Sequence, residues 1–223
     1  MYGRFLVQNV PVPRHWSPEP VFTVLLVCTG NICRSAMAER LGRAYLTEAL
    51  GEGAGQVNLV SAGVRAVVGS TMHPDSALVL QGLGGDPTGF TARQLVDSMA
   101  IDADLTLTMT RAHRREVLAL APRALSRTFT LREAADILSL LGDVDIPGED
   151  LASRARSLVQ RMGAARSRRR SGDADDVQDP INLPPSAHEA AGDAIAEALL
   201  PILARIAGLT QSGATGPRAT DVA

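Results

Sequence analysis

Two thiols, a guanidinium and two hydroxyls fall within the run Cys28-Thr29-Gly30-Asn31-Ile32-Cys33-Arg34-Ser35. A cysteine sulfur can attack an electrophilic phosphorus, and a planar guanidinium six residues later can hold two oxygens of a tetrahedral dianion. A hydroxyl at Ser35 could donate to the sulfur and help it leave as thiolate in a second step. Gly30 and Asn31 are residue types that tolerate left-handed backbone angles, which a tight curl requires. Together these parts suit nucleophilic attack on a phosphoryl group through a phosphocysteine.

Such a site needs a strand before it and a helix after it. Val21–Val27 (V-F-T-V-L-L-V) reads as a strand buried on both faces. Ser35 opens a helix that runs to about Leu50 and stops at Gly51 and Gly53. The loop between them becomes a nest of inward-pointing N–H groups at a helix N-terminus, where the dipole and the donated hydrogen bonds stabilise an anion. In open α/β sheets that place, beyond the carboxyl end of a strand, is where ligands bind.

The same alternation continues along the chain. Val57–Ser61 is a second strand ending at Ala62-Gly63, and Pro74 starts a helix that runs to about Leu80. Ala92–Met99 reads as a short helix, Ala103–Thr108 as a third strand and Arg111–Leu120 as a helix stopped before Pro122. A short fourth strand, Arg127–Thr130, precedes helices at Leu131–Leu141, Leu151–Arg170 and His188–Ile206. Strands separated by helices predict βαβ units and a single α/β domain built on a parallel sheet of about four strands. Residues 1–20, rich in proline, read as a disordered leader, 21–207 as the domain and 208–223 as a disordered tail.

Composition narrows the chemistry further. The 223 residues carry a net charge of -2, and all 22 basic residues are Arg. Without lysine there is no Schiff base, no lysine-anchored pyridoxal phosphate and no Walker-type nucleotide loop. The charge gives no reason to expect nucleic acid, and no run reaches the 18 or so apolar residues of a membrane span. Val21–Val27 is too short and too far from the start for a signal peptide. Cys28 and Cys33 are the only cysteines, too close to staple a secreted scaffold and lacking a second pair for a structural zinc site. A cytoplasmic chain with a working thiol is the expectation.

A phosphoester's leaving oxygen needs a proton, hence a carboxylic acid within reach. Asp173, Asp175, Asp176 and Asp179 all qualify by position, and Pro180 makes Asp179 extended, suited to a loop that overhangs a pocket. The other three read as a solvated loop balancing the arginines of Arg154–Arg170, which read as an exposed helix face. His73, before Pro74, reads as helix-capping or surface.

The string Val27–Ser35 resembles the signature V-C-x-G-N-I-C-R-S-P of the low-molecular-weight protein tyrosine phosphatases, with Ala36 in place of the proline. Ser61-Ala62-Gly63, Ala92-Arg93, Ala103-Asp104-Leu105, Met109-Thr110 and Asp179-Pro180 follow in the family's order. The resemblance implies a four-stranded parallel sheet flanked by helices on both faces and a phosphotyrosine phosphatase I-like fold. It also implies metal-free hydrolysis without a cofactor, acting on a phosphorylated protein or a small aryl phosphate. Carried over residue by residue, it makes Cys28, Arg34 and Asp179 catalytic, with Asp179 the general acid. Thr29, Gly30, Asn31, Ile32, Cys33 and Ser35 bind substrate, and Ser61 supports Asn31.

Three departures stand out. Ile181 and Asn182 replace the aromatics that commonly follow Asp-Pro, and Val64–Val68 carries no ring. Phe90-Thr91-Ala92-Arg93 lacks the histidine of some relatives' His-x-Ala-Arg. The cysteine relay of an arsenate reductase on this fold would need thiols after Cys33, and there are none. Missing rings and Ala36 speak for a phosphate-binding pseudophosphatase; intact Cys28, Arg34 and Asp179 speak against it. Cys33 either fills space or condenses with an oxidised Cys28 as a resolving thiol.

Overall fold

The continuous apolar run near the start forms β1, Phe22–Cys28, whose side chains alternate between two cores. Phe22, Val24, Leu26 and Cys28 face one of them, while Leu25 and Val27 face the other. That alternation is the two-residue strand period, and burial on both faces is why every position is apolar or small. The computed structural model describes residues 21–170 and 172–210. The readings of residues 1–20, Ser171 and 211–223 lie outside the described residues.

β2 (Val57–Gly63), β3 (Leu105–Thr108) and β4 (Thr128–Thr130) complete a parallel sheet of order β2-β1-β3-β4. The register sets Cys28 beside Gly63 and Val27 beside Thr108, so three strands end at one edge. Parallel pairing forces each connection across a face. The helices are α1 (Arg34–Leu50), α2 (Pro74–Gly82), α3 (Asp97–Asp102), α4 (Arg111–Leu120), α5 (Leu131–Leu141), α6 (Leu151–Ala165) and α7 (Pro185–Gly208). Residues of α1, α5, α6 and α7 build the larger core, and those of α3 and α4 the smaller one on the opposite face. The four-stranded parallel α/β architecture is therefore the expected one.

Local chemistry explains most boundaries. Thr130 and Glu133 form a capping box that starts α5 directly from β4, and Asp150 with Ser153 does the same for α6. Gly51 closes α1 at φ 54°.

Two expectations are corrected. The stretch at 92–96 is extended, because Ala92 donates to the Ser70 carbonyl and Leu95 to that of Gly63, prolonging the sheet edge; the helix begins only at Asp97. The helix from Leu151 ends at Ala165 and passes through a 3-10 turn, Arg166–Arg168.

The arginines of this region are staples more than a solvated face. Arg156 binds Asp104 at 2.7 Å and the Val21 carbonyl at 3.0 Å. Arg166 lies 4.2 Å over the Phe129 ring, paired with Glu133 and bonded to the carbonyls of Leu125 and Thr128. Only a planar, many-donor head can serve that many partners at once.

Candidate active site

The loop from Cys28 to Cys33 turns its carbonyls outward. Cys28, Thr29 and Gly30 accept from the N–H groups of Val64, Arg65 and Val67, Ile32 from His73 and Cys33 from Met37. Among the described residues, the N–H groups of Gly30, Asn31, Ile32 and Cys33 have no main-chain acceptor, which leaves them for an anion in the bowl. Asn31 takes the left-handed turn at φ 55°; Gly30 does not, so the expectation that both residues curl the loop holds only for Asn31.

Beneath the bowl runs a polar relay. The Asn31 amide donates to Ser35 Oγ at 2.9 Å and to Ser61 Oγ at 2.8 Å. Ser61 in turn donates to Glu39 Oε2 at 2.6 Å. The Ser35 hydroxyl lies 2.9 Å from Cys28 Sγ, where it can donate to the sulfur in its anionic form. Asn31 Oδ1 accepts from the Arg93 N–H, so Ser61 and Arg93 supply the support expected to come from elsewhere. Glu39 is 1% exposed and is balanced by Arg43 at 2.9 Å and Arg93 at 3.6 Å. Sequence reading missed Glu39. An acid four residues before Arg43 in the first half of α1 was the available signal.

Arg34 is 3% exposed and folds over the loop. One terminal nitrogen donates to the Val177 carbonyl at 3.0 Å; the other reaches Asp179 Oδ2 at 2.5 Å and Thr29 Oγ1 at 3.5 Å. Its Nε is buried without a partner, a donor that the bowl leaves to a ligand.

Asp179 is brought here by a tethered loop. Val177 donates to the Met109 carbonyl, Asp176 takes both the main chain and the guanidinium of Arg111, and Asp175 pairs with Arg169. The expectation that Asp175 and Asp176 are solvated is corrected: Asp175 is 1% exposed, and both hold the loop to the body.

His113 also escaped the sequence reading. It lies in the first turn of α4, buried, with Nε2 2.9 Å from Thr29 Oγ1 and Nδ1 2.9 Å from the capping Thr110 Oγ1. Burial first, and then the Arg34 charge, push its pKa down to about 4, so it stands neutral beside the bowl.

Cys28, Thr29, Gly30, Ile32, Cys33, Arg34 and Asp179 line one cavity of about 210 Å³, walled by Arg65, Val67 and Ile181. The wall has no ring, as expected. Burial pushes the Cys33 thiol up to about 11, against a hydrogen bond from Ser76, and a protonated thiol is a poor resolving nucleophile. His73 occupies the N-cap of α2 but makes no capping bond with its side chain. Instead its ring stacks on His188, with centroids 4.7 Å apart.

The family model described as "Low molecular weight phosphotyrosine protein phosphatase" matches residues 23–149. The chain belongs to that family. It is accordingly a cysteine-dependent phosphomonoester hydrolase of the protein-tyrosine-phosphatase type. It is 36% identical over 125 residues to the probable low molecular weight protein-tyrosine-phosphatase EpsP of Ralstonia solanacearum, covering 56% of this chain and 77% of that one. Among solved structures, the Erwinia amylovora tyrosine phosphatase AmsI superposes with a TM-score of 0.58 at 22% identity, over 86% of this chain and 96% of that one. The YwlE arginine phosphatase of Geobacillus stearothermophilus gives 0.57 at 27% identity, over 82% and 91%. The family match ends before α6 and the loop of Asp179, whereas the superposed phosphatase structures span most of this chain.

Proposed function

We propose that this phosphatase hydrolyses aryl phosphomonoesters, phosphotyrosine in proteins among them, in two steps centred on Cys28. The Cys28 sulfur anion attacks phosphorus in line; the S–P bond forms as the bond to the leaving oxygen breaks, and Asp179 gives that oxygen its proton. Water then attacks phosphorus, Asp179 as carboxylate takes the water's proton, and the S–P bond breaks to return the thiolate, which receives the Ser35 hydrogen bond. Arg34 and the amides of residues 30–33 hold the equatorial oxygens throughout. The observation that carries this reading is the loop whose carbonyls at Cys28, Thr29, Gly30, Ile32 and Cys33 are bonded to the main chain around it while a buried guanidinium closes over it.

The pocket wall favours a neutral leaving group. A phosphorylated arginine would bring a guanidinium toward Arg34 and Arg65, and like charges oppose it. Val67 and Ile181 offer apolar contact to a phenyl ring without stacking. Two free thiols fit a reducing compartment, which supports a cytoplasmic location. Among the described residues no helix is long and apolar enough to cross a membrane.

The test is turnover of p-nitrophenyl phosphate by wild type and Cys28→Ser in the presence of a chelator. Wild type is expected to turn over and Cys28→Ser to be inactive. Activity that survives the substitution, or that needs a divalent ion, overturns the mechanism. Phosphotyrosyl peptide is expected to be preferred to phosphoarginine.

A further inference from the structure

Two buried imidazole nitrogens point at one carboxylate with nothing between them. His73 Nδ1 and His188 Nε2 are both without a hydrogen-bond partner, and each lies 3.9 Å from Asp75 Oδ2. His188 is 0% exposed, and its other nitrogen, Nδ1, is engaged by Ser76 Oγ at 2.8 Å. In the tautomer whose Nδ1–H donates to Ser76, Nε2 presents a lone pair that can take a cation. Two imidazoles stacked 4.7 Å apart oppose a positive charge on both. Buried polar atoms in this condition call for an occupant. The third neighbour is Cys33, whose sulfur and one nitrogen of each histidine all lie within 4.8 Å of one another.

We propose that Cys33, His73, His188 and Asp75 bind a zinc-class divalent cation between the catalytic loop and the N-termini of α2 and α7. One thiolate, two imidazoles and one carboxylate are a borderline donor set that suits zinc, whereas magnesium and calcium take oxygen cages. Tetrahedral coordination at roughly 2.0–2.3 Å sets donors about 3.3–3.8 Å apart. The donors of Cys33, His73 and His188 therefore need to close by about 1.0–1.5 Å at most, the two rings swinging out of their stack to converge and Asp75 following as the fourth ligand. Cys33 releases its thiol proton to solvent as the sulfur–metal bond forms. Ser76 is the outer partner that fixes the His188 tautomer. Asp75 borders a groove that also carries Glu189 and Asp193, an acidic approach for a cation.

The inference is independent of the phosphatase reading, because Cys28 takes no part in it. Its consequence reaches the active site all the same. Cys33 belongs to the catalytic loop and the His73 N–H holds the Ile32 carbonyl at 2.8 Å, so a bound cation would clamp that loop to α2 and α7.

The test uses the full chain, stripped with a chelator and titrated with cobalt(II), with zinc(II) as competitor. One equivalent of cobalt is expected to give a sulfur-to-metal charge-transfer band and tetrahedral visible absorption, both displaced by zinc. The signal should persist in Cys28→Ser and vanish in the Cys28→Ser/Cys33→Ser protein. His73→Gln and Asp75→Asn, at partly exposed positions, should each weaken binding at least about tenfold. Zinc should raise the melting temperature of Cys28→Ser and not that of the double variant. A band lost with Cys28 but kept without Cys33 would place the metal on the catalytic thiol and overturn the proposal. So would the absence of binding below millimolar cobalt.

Discussion

Arg34 and Asp179, 145 residues apart in the chain, meet at 2.5 Å across the mouth of the catalytic bowl. The guanidinium that should grip the substrate dianion thus also holds the proposed acid. Substrate must take that fork over, and in doing so it frees the carboxyl to face the leaving oxygen.

Replacing Asp179 by Asn should therefore act on two quantities in opposite directions. Turnover should fall by roughly 10²–10⁴, the worth of a positioned proton donor. The loss should be greater for phenyl phosphate than for p-nitrophenyl phosphate, whose leaving oxygen needs the proton less. Inorganic phosphate should inhibit the variant more tightly than the wild type, since no carboxylate competes for Arg34. Steady-state rates on both esters, with phosphate as inhibitor, decide it.

The relay under the bowl predicts a mixed phenotype for Ser61→Ala. Asn31 loses one of its two acceptors and Glu39 loses the hydroxyl at 2.6 Å, a buried loss of about 1–3 kcal/mol. At this chain length each kcal/mol lowers the melting temperature by roughly 2–4 °C. Turnover should fall as well, because Asn31 holds the left-handed turn of the loop. Calorimetry and kinetics on one preparation measure both.

Gly63 and Gly42 should respond differently to alanine. A methyl on Gly63 would stand 2.5 Å from the Thr29 carbonyl oxygen, which belongs to the catalytic loop and cannot yield without moving it. A methyl on Gly42 would meet the Leu59 side-chain tip at 2.6 Å, which can rotate away. Gly63→Ala is expected to lose about 10²-fold in turnover, as for an ångström of misplacement. Gly42→Ala is expected to lose stability with its turnover intact.

His113 gives the fold an acid sensitivity with a definite sign. Its pKa is about 4 when folded and 6.5 ordinarily. Between those values the unfolded chain binds a proton that the folded one refuses. Stability should thus be complete above the upper value, fall as pH drops through the interval, and level off below the lower one, by up to about 3 kcal/mol. His113→Gln should flatten this part of the profile. Urea unfolding at both ends of the interval reads it directly.

An aromatic at position 181 should restore stacking to the pocket wall. Ile181→Tyr is expected to lower KM for aryl phosphates roughly 2- to 12-fold, from an aromatic pair worth about 0.5–1.5 kcal/mol. An alkyl phosphate of equal charge should show no such gain.

The sheet and the nucleophile loop were legible because short-range rules fix them. A doubly buried strand is apolar throughout, and a tight anion-binding turn needs Asn or Gly before a helix. The failures share a different cause. The stretch at 92–96 becomes extended only because Ser70 and Gly63, distant in sequence, take its hydrogen bonds. Likewise the arginines after Arg154 look solvated until Asp104, Glu133 and Asp175 arrive from elsewhere. His113 and His188 were unreadable for the same reason, since a buried polar side chain acquires meaning from partners that only the tertiary fold supplies.

The staple of Arg156 onto Val21 and Asp104 lies where β1 begins, the pole of the sheet opposite Cys28. α7 starts beside the bowl at Pro185 and travels 24 residues, about 36 Å, before Leu209 is caught by Arg154 near the start of α6. Both ends of the described fold are thereby moored at the far side of the molecule. A fusion partner or an immobilising tether joined through Val21 or Thr210 would hang behind the enzyme and leave the phosphate entrance clear to even a bulky protein substrate.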